Sequence, residues 1–145
     1  MYNFLINNKL YFTLLLLFFC QCQNPSIKKN LSAHKWQMTR YDLGEDLSKL
    51  TESQRSAMQV MYESWASKSY LILNENNTFE AKLGRTNLQK GTWRLSDNIQ
   101  LLYLQQDGVP TPINYQIENI SSDELILTLQ SEQKKTIRLS FVGTE

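Results

Sequence analysis

The stretch from Ser69 to Leu83, SYLILNENNTFEAKL, decides how this chain is read. In its second half Phe79, Ala81 and Leu83 alternate with Glu80 and Lys82, the two-residue period of a strand with one buried and one wet face. SYLILN precedes it as a partner strand, and the asparagine-rich NENNT between them tolerates the left-handed backbone of a tight turn. The segment is therefore expected to be a β-hairpin.

The same beat runs on to the C-terminus. KGTWRLS sets Trp93 and Leu95 against Thr92 and Arg94, and Asp97-Asn98 turns the chain into NIQLLYLQ, read with Ile99, Leu101 and Tyr103 on one face. QDGVPTP interrupts with Gly108, Pro110 and Pro112. Beyond it INYQIEN points Ile113, Tyr115 and Ile117 one way, ELILTLQ does so with Leu125, Leu127 and Leu129, and KTIRLSF with Ile137, Leu139 and Phe141. Upstream, KWQMTRYDL reads as a first strand with Trp36, Met38 and, if the period runs on, Arg40 on one side.

One segment breaks the rhythm. In LTESQRSAMQVMYESWASK, Met58, Met61, Tyr62 and Trp65 fall on one helical stripe, and Thr51 with Gln54 fits a capping box. The stripe reads as a lid packed on the core rather than as a ligand site. One strand, a helix and about seven further strands with short connections predict antiparallel neighbours. An all-β, up-and-down, eight-stranded barrel with one helix between strands 1 and 2 removes its edges by closing on itself. A two-sheet sandwich in the same order is the competitor.

The N-terminus carries an address. Leu10 to Phe19 is apolar except for Thr13, follows Lys9, and is shorter than the roughly 20 residues of a spanning helix. It reads as the core of an export signal. The run ends on Cys20, with Cys22 close by, and these are the only cysteines. A C-x-C pair is too tight for an easy disulfide, and no further cysteine completes a metal site with the single His34. The ending resembles a bacterial lipoprotein signal, with Cys20 as acylated residue and Cys22 as alternative; a plainly cleaved leader is the rival. The division expected is 1–19 signal peptide, 20–34 flexible tether (QCQNPSIKKNLSAH), 35–145 barrel.

Against 15 Lys+Arg stand 14 Asp+Glu, without a block of like charge, so no nucleic-acid footprint or polybasic membrane arm is expected. Loss of the leader removes Lys9 and leaves a formally neutral chain, which only acyl groups would hold to a membrane.

The order of a tryptophan, a helix, SYLILNENNTFEAKL, GTWRLSDNIQLLYL and two alternating strands resembles the lipocalin-like domains of exported lipoproteins in Bacteroidetes-type bacteria. Gly91-Thr92-Trp93 behind the N-x-T-[FY] hairpin is the most specific part, and the likeness runs from Trp36 to Phe141. The resemblance implies a barrel and an envelope location, with no assigned activity. No glycine stands two places before Trp36; Arg138 is either the counterpart of an arginine that packs over that tryptophan in lipocalins, or a solvated side chain.

Catalytic chemistry finds little support. A single histidine, five scattered glycines and carboxylates at turns and polar strand faces (Glu80, Asp97, Asp107, Asp123, Glu124) predict no enzyme, cofactor or metal. An eight-stranded barrel holds either its own side chains or one small ligand. The candidate lining, Tyr70, Ile72, Phe79, Trp93, Tyr103 and Tyr115, suits a small hydrophobic molecule. The expectation is a non-enzymatic, lipid-anchored envelope protein binding such a ligand, with a packed, ligand-free interaction module or inhibitor as the alternative.

Overall fold

The computed structural model describes residues 25–131 and 135–145. Among these residues two α-helices, α1 (Pro25–Ser32) and α2 (Glu52–Ser67), accompany eight strands: β1 (Lys35–Asp42), β2 (Tyr70–Leu73), β3 (Thr78–Lys82), β4 (Gln89–Leu95), β5 (Leu101–Gln106), β6 (Ile113–Ile120), β7 (Glu124–Gln130) and β8 (Thr136–Thr144). Every strand pairs antiparallel with its sequence neighbour, and β8 returns to β1, from Lys35↔Thr144 to Asp42↔Arg138. The sheet is a closed up-and-down barrel, and the sandwich is excluded.

The predicted hairpin pairs Leu73 with Phe79 and Tyr70 with Lys82, and Asn77 at its tip has φ +65°. Gly91 is required where β4 meets β5, because a Cβ there would lie 2.0 Å from the Gln105 carbonyl oxygen. Inside, Trp36, Leu71, Leu73, Leu102, Leu125 and Phe141 are fully buried, with Phe79, Trp93, Tyr115, Leu127 and Leu139 close behind.

Strict alternation misjudged the facing of three strands. On β2 Leu71 and Leu73 point inward, and Tyr70 and Ile72 lie on the outer wall. On β5 Leu102 and Leu104 are buried, opposite Leu95 and Trp93, so Leu101 and Tyr103 face out; Ile99 sits in the preceding turn at φ +60°. YLIL and LLYL are apolar at both parities, so period two cannot choose a face and the neighbouring strands choose it. On β1 the ladder skips from Met38↔Phe141 to Arg40↔Ser140, leaving Thr39 as a bulge. The extra residue turns Tyr41 inward opposite Leu139 and sends Arg40 to solvent.

Within the expected 20–34 tether, the part from residue 25 on is corrected. Residues 25–32 form α1, whose Leu31 is completely buried and whose Ile27 packs on the core. The indole Nε1 of Trp36 donates to the Leu31 carbonyl at 2.8 Å, fixing helix to barrel. The leader, Cys20 and Cys22 lie outside the described residues.

Candidate functional site

β2 has four residues and meets β1 only at Lys35, Trp36 and Gln37, although β1 runs on to Asp42. The remaining edge of β1 would expose unpaired backbone groups, and α2 lies along it. Thr51 caps α2: its Oγ1 accepts from the Gln54 amide at 3.3 Å, and its own amide donates to Gln54 Oε1 at 2.9 Å. At the other end Gln37 Nε2 donates to the Ser69 carbonyl at 2.9 Å, and the Met38 amide donates to that same carbonyl, also at 2.9 Å. Buried Ser69 donates to the Trp65 carbonyl at 2.6 Å and accepts from the Gly84 amide at 2.7 Å, pinning the helix end to the β3–β4 loop.

The contact between α2 and β1 is aromatic. Tyr41 and Trp65 meet edge to face at 5.8 Å, Tyr62 and Trp65 are 5.7 Å apart, and Tyr41 and Tyr62 6.2 Å. Tyr62 Oη donates to Glu45 at 3.0 Å, and Lys135 approaches the same carboxylate at 3.8 Å, tying the β1–α2 loop to the β7–β8 connection. Beside this cluster runs an open groove of about 550 Å³, with Thr39, Arg40 and Asp42 on one wall and Arg55, Gln59 and Glu63 on the other.

The predicted lining residues do not converge. Phe79, Trp93 and Tyr115 are inside the barrel, whereas Tyr70, Ile72 and Tyr103 are outside it. Tyr70 donates to Glu80 at 2.9 Å under the ammonium of Lys35, and Tyr103 lies 3.8 Å beneath the Arg94 guanidinium. The indole N–H of Trp93, expected to face a ligand, donates instead to the Asn74 carbonyl at 2.9 Å. Among the described residues no buried side-chain nitrogen or oxygen lacks a hydrogen-bond partner. Arg138 forms a bidentate pair with Glu118 at 2.8 and 2.9 Å on the outer wall, so it is not a partner of Trp36. The edge of Trp36 is met by His34, whose ring packs over Gly143.

Titration follows from these contacts. Burial, then the bond to Glu45, pushes Tyr62 up to about 12. Burial also raises Tyr115 to about 12 and moves Tyr41 upward. Glu80 and Glu118 are lowered, first by Tyr70 and Arg138 respectively, and Asp46 by Ser48. Each of these shifts carries its group away from neutrality, the reverse of what a general acid or base needs. No group of three metal-ligating side chains occurs among the described residues.

The architecture defines the class: a small, closed, antiparallel barrel with a helix laid along its short-paired edge. No family model matches the chain, and no curated protein matches it. Among solved structures it is similar to the crystal structure of a DUF4847 family protein from Bacteroides vulgatus, with a TM-score of 0.51 and 11% identity. The match covers 79% of this chain and 96% of that one, and at this identity it is a likeness of fold.

The missed element, α1, had a signal. Pro25 suits a first helical position, and Ile27 and Leu31 are four residues apart. A segment this short carries too few apolar residues to display a period, and Lys28, Lys29 and Asn30 made it read as a linker.

Proposed function

We propose that this chain is a non-enzymatic lipoprotein of the bacterial cell envelope, anchored through Cys20 or Cys22, whose lipocalin-like barrel is a packed scaffold presenting the α2 side to a protein partner. The observation that carries the scaffold reading is the bulk of the side chains buried inside the barrel. Bulky side chains from all eight strands are buried there, and the indole N–H groups of Trp36 and Trp93 are taken by backbone carbonyls. A ligand site keeps convergent polar groups for its occupant, and these are already satisfied. Exposed apolar side chains support an outward role: Val60 on α2 is 66% exposed, and Leu88, Val109 and Ile113 stand bare on the loops and strand start at the same end.

The test is titration of the mature protein with a fatty acid while tryptophan emission is followed. No saturable change is expected. Stoichiometric quenching lost in Trp93→Phe would overturn the packed scaffold and restore a small hydrophobic ligand inside the barrel. Mass spectrometry of the N-terminus from the native host should find acyl mass on Cys20 or Cys22; an unacylated terminus defeats the anchor.

A further inference from the structure

On the far flank of α2 lies a second groove, of about 650 Å³, between the end of the helix and the β3–β4 loop. Ser64, Trp65 and Lys68 form one wall; Tyr70, Lys82 and residues 84–88, with Arg85 and Asn87 among them, form the other. Three of its ten lining residues are cationic and none is acidic, in a chain whose charges otherwise nearly cancel. None of these cations is in a salt bridge among the described residues. The carboxylate nearest to Lys82 in sequence, Glu80, two residues before it, is already engaged by Tyr70 at 2.9 Å and Lys90 at 3.4 Å. Arg85 rests 5.8 Å from the Trp65 ring, and its guanidinium makes no side-chain hydrogen bond among the described residues.

The groove is also held in shape. Ser69 ties the α2 carbonyl at Trp65 to the amide of Gly84, and Thr86 Oγ1 donates to the Leu83 carbonyl at 2.8 Å while accepting from the Leu83 amide at 3.2 Å. Like charges gathered on a fixed frame raise each other's energy, and an anion between them relieves it. Ammonium and guanidinium groups suit an oxyanion, to which charge-assisted hydrogen bonds are short and strong.

We propose that this groove is a binding site for a soluble ligand bearing phosphate or carboxylate groups, held by Lys68, Lys82 and Arg85 against the Trp65 side of α2. The site is independent of what the barrel interior holds. The soluble source rests on the anchoring reading: α1 fills the opposite end of the barrel, so an anchor at Cys20 or Cys22 draws that end toward the membrane and turns this groove away from lipid headgroups.

The experiment uses the mature chain, isotope-labelled, at constant ionic strength set with chloride. Inorganic phosphate, trigalacturonate and phosphatidylglycerol vesicles are added in separate titrations. A saturable shift of the Trp65 indole signal and of the 84–88 amides is expected with phosphate or trigalacturonate. The double variant Lys82→Gln/Arg85→Gln should bind about tenfold more weakly or worse. Lys82→Arg/Arg85→Lys keeps the charges and should retain binding, and Lys90→Gln, outside the groove, should leave it unchanged. Thermal unfolding of each variant reports folding. The proposal is overturned if neither soluble probe gives a saturable shift, or if the shift survives the double glutamine variant. Groove-dependent binding to vesicles alone would overturn the soluble source.

Discussion

The barrel is served by two helices that do opposite things. α1 has eight residues and inserts Leu31 into one end so completely that no part of it meets solvent. α2 has sixteen residues, yet only Ala66 is fully buried, and its stripe of Met58, Met61, Tyr62 and Trp65 stays half-buried along the edge of β1. A helix end set into the mouth of a barrel is surrounded by wall, whereas a helix laid along a strand is covered on one side. Length and amphipathic signal therefore do not measure what a helix contributes to the core. α1 supplies core, and α2 supplies surface with grooves on both flanks.

This contrast is most directly broken at Leu31. Leu31→Ala should lower stability by about 3 kcal/mol in urea unfolding, because the site is fully buried. A cost near that of a surface substitution would return residues 25–32 to the status of a tether. At the α2 side the interior test is Tyr115, whose phenol stays neutral in the folded barrel up to about pH 12 but ionises near 10 when unfolded. Its stabilising effect is present below pH 10 and is lost as pH rises through about 12, in all about 2–3 kcal/mol. Tyr115→Phe should flatten that alkaline loss, followed by denaturant midpoints across the range.

Thr51→Ala removes the N-cap of α2 and should cost about 1 kcal/mol, with hydrogen exchange rising in the first turn and not at α1. Equal acceleration at both helices would mean that they unfold as one unit. The smallest effect is expected at Arg138. Its pair with Glu118 holds that carboxyl below its usual range, so the contribution is complete above the ordinary carboxylate pKa and is lost as pH falls through the lowered value. Arg138→Gln should remove this acid slope and change little at neutral pH, since both partners are well exposed and salt screens them.

Particular residues mark how far the sequence could be read. The Phe79/Ala81/Leu83 alternation, the Asn77 turn, the Thr51–Gln54 cap and the order of eight strands were all legible, because each is set within a few residues. Strict alternation puts Tyr70, Ile72 and Tyr103 on the wrong wall because their strands are apolar on both faces. Arg40 and Tyr41 exchanged faces at a one-residue bulge that no local pattern announces. The basic groove was illegible for another reason: Lys68, Lys82 and Arg85 come from a helix end, a strand end and a loop, and only closure of the barrel brings them together.

Local pattern is enough to set the periods, and with them the antiparallel strands, helix α2 and the turns, since backbone geometry and neighbouring side chains act within a few residues. Which face of an ambiguous strand lies inside, and where α1 docks, were left to the tertiary structure. Those outcomes depend on how side chains distant in sequence compete for one enclosed volume, and no short stretch contains that competition.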